Sequence, residues 1–230
     1  MFYKLNALML AVVFLSSCSN IVQLKKEAHN QIRSVENIIV IEQDNLYVTV
    51  TSFYNGGGGA IGALIASSID SSRQSSATEK AQPIIKELDD YNFKNVFLTA
   101  IKDKINKTHL PYKMSNQVES INSASNKRIH LLKTNSDALL VSNIDYALNA
   151  GNLIISARVS LYPKATNLKK FMKNSKDENT FDMTDIDNTI YNKNFTFTKQ
   201  SISVSNIKNS LNEGAKNISE QIIDDLSHPI

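Results

Sequence analysis

The sequence predicts an α+β domain, a largely antiparallel sheet with helices packed on it, preceded by a cleaved signal peptide. Three patterns lead there. Apolar and polar residues alternate over 46–53, 138–148 and 153–162, the period of half-buried strands. Apolar residues recur every three or four positions over 93–105 and 207–226, the period of amphipathic helices. The elements follow in the order ββ-α-α-ββ-β-α, so strands come in neighbouring groups instead of alternating singly with helices. With 42% hydrophobic and 20% charged residues, the composition is that of a globular chain and not a disordered one. The formal net charge is +3 and includes Lys4 of the leader, which leaves +2 behind it. That is too little for a nucleic-acid footprint, so no nucleic-acid partner is expected.

The first residues, Met1-Phe2-Tyr3-Lys4, are a short basic start, and Leu5 through Phe14 are almost wholly apolar. Such a run falls short of the roughly 20 residues a spanning helix needs and fits the core of a secretory leader. Leu15-Ser16-Ser17-Cys18 follows directly. This resembles the lipobox of bacterial lipoproteins, at every position. The resemblance implies cleavage before Cys18, a diacylglyceryl group on its sulfur and acylation of the new amine, leaving 213 residues (230 − 17). Two or three acyl chains hold a protein on a membrane stably where one holds it marginally. In the same family the next residue helps to sort the protein. Ser19, where Asp would retain it, implies the outer membrane, with the domain facing the periplasm. Cys18 is the single cysteine of the chain, so no intramolecular disulfide competes for it.

Residues 18–36 are polar with scattered aliphatics and read as a lipidated tether. Lys25, Lys26 and Arg33 lie close enough to the anchor to touch headgroups, but a solvated linker accounts for them as well. A single domain is expected over 37–230. Ile38 to Ile41 and then 46–53 read as a hairpin turned by Gln43-Asp44-Asn45. Next comes the most unusual segment, Gly56-Gly57-Gly58-Gly59 followed by Gly62 and Ala66, which holds five of the seven glycines. Gly58, Gly62 and Ala66 are spaced by four, so on a helix they make a smooth ridge open to close packing or to a membrane. A flexible strand-to-helix connection explains them too.

Pro83 is expected to start or kink a helix. Phe93, Val96, Phe97, Ala100, Ile101 and Ile105 mark one face of the next helix. Residues 108–136 give no clear pattern. The best hairpin pairs 138–148 with 153–162 across Asn149-Ala150-Gly151-Asn152, with Leu153, Ile155, Ala157, Val159 and Leu161 on one face and Ser156, Arg158 and Ser160 on the other. A long polar loop spans 164–188. Tyr191, Phe195 and Phe197 mark a strand, and a final helix capped near Ser205 repeats Ile207, Leu211, Ile218, Ile222 and Leu226.

No constellation for catalysis stands out, and the expectation is a protein that is not an enzyme and needs no cofactor. Gly57-x-Gly59-x-x-Gly62 matches the dinucleotide fingerprint in spacing, but no second strand ends in the acid that would hold a ribose. His29, His109, His130 and His228 stand apart from one another and from carboxylates at ligand spacing, so no metal is expected. Asp182, Asp185 and Asp187 lack the glycine and terminal Glu of a calcium loop. What remains is an envelope lipoprotein acting as a binding or assembly module, with another envelope protein as partner and homo-oligomerisation open. The 138–162 hairpin also resembles curli-secretion-type pore lipoproteins, which implies the alternative of a protomer in an oligomeric outer-membrane assembly.

Overall fold

The computed structural model describes residues 21–230 except 42, 44, 50–70, 120–132 and 173–185. Its centre is the long hairpin β4 (Ala138–Asn149) and β5 (Asn152–Pro163), paired antiparallel from Ala138↔Pro163 to Asn149↔Asn152. Ala150 and Gly151 at the turn have φ of 48° and 80°, the left-handed pair that a two-residue hairpin requires because it matches the twist of the strands. β6 (Tyr191–Lys199) adds antiparallel to β5, while β1 (Ser34–Val40) runs parallel to β4 and β3 (Lys113–Glu119) parallel to β1. The sheet order is β3-β1-β4-β5-β6. The fold is thus α+β as expected, and its sheet is largely but not purely antiparallel.

The expected hairpin across Gln43-Asp44-Asn45 does not form. β2 (Tyr47–Thr49) pairs parallel with β4, as β1 does, so both lie in line along one edge of the same strand. The turn chemistry interrupts the strand without reversing it. The ladder survives the gap through one side chain. Gln43, 3% exposed, donates from Nε2 to the carbonyl of Tyr146 at 2.6 Å and accepts the Tyr146 N–H on Oε1 at 3.1 Å. Its carboxamide stands in for the missing peptide group, as buried backbone polar groups require. Nε2 also lies 3.0 Å from the carbonyl of Asn45.

Five α-helices belong to the described residues: α1 (Lys26–His29), α2 (Ser71–Glu87), α3 (Phe93–Lys107), α4 (Thr166–Lys169) and α5 (Ile207–Ser227). Their buried apolar residues lie on one face of the sheet. Ile207, Leu211, Ala215, Ile218, Ile222, Ile223 and Leu226 of α5 are all within 1% of full burial, against Leu153, Ile155, Ala157 and Val159 of β5. Each large aliphatic so buried contributes roughly 1.5–3 kcal/mol. α5 comes this close because of Gly214, where an added Cβ would stand 2.3 Å from Ile155 Cδ1 and 2.8 Å from Phe197 Cδ1. α3 packs beside α5 through Phe93, Phe97 and Ile101. Its start is capped by Asn92, whose Oδ1 accepts the N–H of Asn95 at 3.0 Å.

Four further expectations change. The folded body reaches back ahead of Asn37, since Leu24, Ala28, Ile32 and Val35 are core residues and Val22 bridges Asn192. Pro83 does not start a helix but sits exposed inside α2, whose preceding Ser, Ala, Glu, Lys and Gln residues are sufficient helix formers. Within the polar 164–188 stretch, α4 is tied down by Leu168, which is fully buried. The final helix begins at Ile207, and Asn206 caps the preceding turn by accepting the Ser203 N–H at 2.8 Å.

The opposite face of the sheet carries a smaller apolar cluster, Ile38, Val40, Leu139, Val141 and Tyr162. Beside it lies a polar field that includes Asn143, Arg158 and Asn194, aligned by register across β4, β5 and β6. Ser156 and Ser160, expected on a wet or partnered face, are 6% and 5% exposed, and Ser160 Oγ is hydrogen-bonded to Asn192 Oδ1 at 2.6 Å.

Candidate functional site

Leu15, Ser16, Ser17, Cys18 and Ser19, expected to direct cleavage, lipid attachment and sorting, lie outside the described residues, as do Gly56, Gly57, Gly58, Gly59, Gly62 and Ala66. The structure places their roots instead. Val22, four residues after Cys18, is held by a two-way bridge: its N–H donates to the Asn192 carbonyl at 2.9 Å and its carbonyl accepts from Asn192 at 2.7 Å. Asn192 pairs with Ser160 near the end of β5. The last described residue ahead of the glycine-rich segment is Thr49, paired with Asn149 at the hairpin tip. From Asn152 to Ser160 is eight steps along β5, about 26 Å at strand rise. Val22 and Thr49, the described residues next to the two sequence features, therefore stand at opposite ends of the sheet.

The end that carries Val22 is built around buried polar side chains. His29 and Tyr112 meet edge to face at 5.5 Å between ring centroids, each 6% exposed, with His29 Nε2 and Tyr112 Oη unpaired. Burial lowers the His29 pKa below its usual 6.5, opposed by hydrogen bonding of the ring to Asn30 and the Leu226 backbone. It raises those of Tyr112 and Tyr191. Tyr191 donates to Asp225 Oδ2 at 2.8 Å, and Lys193 binds the other oxygen of that carboxylate. Nearby, Asp137 Oδ2 accepts the N–H groups of Arg33 and Ser34 at 2.8 and 3.1 Å. Asp137 thereby fixes the entry of β1, at a polar cleft of about 440 Å³ shared with Asn30, Gln31 and Asn167.

The opposite end holds a cleft of about 710 Å³ between α2 and the hairpin tip. Its walls are mostly apolar, from Val48, Ala77, Ala81, Ile84, Leu148 and Ile202. A second cleft, about 470 Å³, runs between α3 and α5 and is rimmed by Lys104, Lys107, Asp103 and Glu220.

One side-chain pair resembles a nucleophile with its base. Ser227 Oγ lies 3.0 Å from His228 Nδ1, but Nδ1 also lies 2.7 Å from the Asp224 carbonyl, to which Ser227 Oγ donates at 2.8 Å. The three groups close the last turn of α5, and His228 has no carboxylate orienting it among the described residues. Asp224 and Asp225 are not a carboxylate pair at work on one group: Asp224 binds Lys104 at 2.8 Å while Asp225 serves Tyr191 and Lys193. No group of three His, Cys, Asp or Glu residues able to hold a metal occurs among the described residues. Nor is any described helix long and apolar enough to cross a membrane.

Several groups that organise this fold have no motif of their own. Asn37, fully buried, donates to Asn116 Oδ1 at 2.8 Å and accepts from Ser142 Oγ at 3.0 Å, linking β3, β1 and β4 inside the core. The early start of the fold does leave a trace, since Leu24, Ala28 and Ile32 are spaced by four.

Geometry of this kind defines a mixed-sheet α+β domain whose start is fixed at one end and whose apolar cleft opens at the other. No protein-family model matches the sequence, and no curated protein matches it. Among solved structures, the chain is similar to a PelC dodecamer from Paraburkholderia phytofirmans, at 9% identity and a TM-score of 0.30, over 84% of this chain and 88% of that one. It is also similar to a DUF330 protein from Xanthomonas campestris, at 9% identity and a TM-score of 0.37, over 88% of this chain and 84% of that one. At these values the likeness transfers no residue role to this chain.

Proposed function

We propose that this chain is a lipid-anchored envelope protein, held through Cys18, whose domain acts as a non-catalytic binding or assembly module. The observation that carries the reading is the lipobox Leu15-Ser16-Ser17-Cys18 standing directly ahead of the folded body. Four residue steps separate Cys18 from the bridged Val22, a reach of at most about 14 Å. An acylated cysteine there holds the domain against a membrane surface, with no long stalk. Ser19 favours the outer membrane under the sorting rule of that family.

The test is to express the full chain and a Cys18→Ala variant and to follow acylation by fatty-acid labelling together with membrane fractionation. The wild type is expected labelled and membrane-bound, the variant unlabelled. Equal labelling of both would overturn the reading. A module role further expects that the domain captures a defined envelope protein, and turnover of a substrate abolished by one point mutation would count against it.

A second reading, a protomer of a homo-oligomer, is favoured by the sheet face opposite the helices. Arg158 stands exposed there between Asn143 and Asn194. The same hairpin's apolar face is covered by this chain's own α5, so contact between copies would run through the polar face. Light scattering of the acylated protein in detergent decides between monomer and oligomer.

A further inference from the structure

We propose that the Val22 end of the domain docks on anionic phospholipid headgroups, standing the sheet upright with the hairpin tip turned away from the membrane. This rests on the anchoring of Cys18 proposed above and goes beyond it, by assigning the face that meets the bilayer and the charge of the lipid it selects.

The topology brings six exposed cations to that end. Lys113 begins β3 opposite Ser34 and donates its N–H to the Arg33 carbonyl at 2.9 Å. Lys25 and Lys26 flank the start of α1, where the Lys26 N–H donates to the Ile230 carbonyl at 2.8 Å. Lys133 adjoins Thr134, whose carbonyl Lys164 binds just past the end of β5. Lys170 closes α4, which is tied to the same end by the bond from Asn167 to Gln31. Lys25, Lys26, Arg33, Lys113, Lys133 and Lys170 are all exposed, and none has a carboxylate partner among the described residues.

The acids at this end do not offset them. Asp137 is turned to backbone N–H groups, Asp187 has one oxygen buried, and Asp224 and Asp225 are paired with Lys104 and Lys193. Glu27 alone of these described acids is exposed without a partner. At the far end Lys199 pairs with Glu213 and Lys208 with Glu87, and the exposed Lys80 follows the exposed Glu79 in the chain.

Two apolar side chains complete the surface. Ile21, 46% exposed, and Ile230, 71% exposed, are two of the four exposed large hydrophobics among the described residues, and both lie on the segments that meet beside Lys25 and Lys26. Cations and exposed aliphatics at the same end of the sheet, the end nearest the proposed anchor, match an interface in which phosphates meet Lys and Arg and the aliphatics enter the headgroup boundary. The short reach from Cys18 keeps this end near the bilayer, and docking brings the cations inside the Debye length of about 8–10 Å over which headgroup charge acts. Docked this way, Thr49 and the apolar cleft at the hairpin tip stand about 26 Å farther from the membrane.

The experiment uses the purified full-length acylated protein in vesicles of phosphatidylcholine alone, or of two parts phosphatidylcholine to one part phosphatidylglycerol. Amine acetylation read by mass spectrometry reports each lysine. Labelling of Lys25, Lys26, Lys113, Lys133 and Lys170 is expected to fall several-fold in the anionic vesicles and to recover in high salt, with Lys80 and Lys199 unchanged. A Lys25→Glu, Lys26→Glu, Lys170→Glu variant, all at exposed positions, should lose the protection of Lys113 and Lys133 while keeping its circular dichroism. Protein that floats with the vesicles but shows no charge-dependent protection overturns the docking proposal, as does protection of Lys80 and Lys199 instead. Protein that carries no lipid and does not float overturns the anchoring reading itself, a separate outcome read from its intact mass.

Discussion

Replacing Gln43 by methionine keeps the side chain's length and removes its hydrogen bonds. Tyr146 then loses partners for both its N–H and its carbonyl inside the sheet, since Gln43 Oε1 and Nε2 serve them at 3.1 and 2.6 Å. An unpaired buried polar group costs about 1–3 kcal/mol, so the expected loss is about 2–5 kcal/mol, with the bond to Asn45 a smaller addition. For a domain of this size that lowers Tm by roughly 5–15 °C. Urea unfolding followed by circular dichroism measures it. Glutamate at the same place adds a sign. Its carboxylate accepts the Tyr146 N–H but opposes the carbonyls of Tyr146 and Asn45, which raises its folded pKa above the unfolded value of about 4.3. The folded state then binds the proton first, so the Gln43→Glu protein regains stability relative to wild type as pH falls toward that range. A Gln43→Met protein within about 0.5 kcal/mol of wild type refutes the reasoning, because surface-like substitutions fall in that range.

Three further outcomes follow from the core. Gly214→Val should be destabilising by more than the roughly 1 kcal/mol that leaving glycine gains in helix propensity, since its Cβ meets Ile155 and Phe197 within 3 Å; calorimetry showing stabilisation would contradict the packing. Asn37→Leu strands the fully buried Ser142 hydroxyl at a cost of about 1–3 kcal/mol, and the double substitution Asn37→Leu, Ser142→Ala should recover much of it in a denaturation cycle. His29, its pKa lowered by burial, is protonated first in the unfolded chain. Stability is therefore full above about pH 6.5 and declines as pH falls from there toward the folded value, and Gln at this position should flatten that part of the curve. An unchanged slope would show that His29 is not its source.

What the sequence reveals depends on how local each cause is. The β4–β5 hairpin and α5 are legible because alternation, turn residues and helical spacing are written in contiguous residues, and Leu153, Ile155, Ile207, Leu211 and Leu226 are buried where those patterns put them. The parallel pairing of β1 and β2 with β4 is not legible. It joins residues about a hundred positions apart, and the Gln43-Asp44-Asn45 turn chemistry looks the same whether a chain reverses or only steps across a gap. β3 hides for a related reason: Lys113-Met114-Ser115-Asn116-Gln117-Val118-Glu119 is a polar edge strand that pairs on one side alone. The basic end is dispersed in sequence from Lys25 to Lys170, so only the fold brings it together. Lys25, Lys26 and Arg33 are its visible fraction. The proposed anchor motif is the most local feature of all, and only the fold shows that Val22, four residues after Cys18, is bridged to Asn192.

The most direct test of the account is the intact mass and amino-terminal peptide of the full chain recovered from bacterial membranes. The account predicts a mature chain that begins at Cys18 and carries a diacylglyceryl thioether with an acylated amine. A free Cys18 thiol, or a chain cut at any other residue, would contradict it.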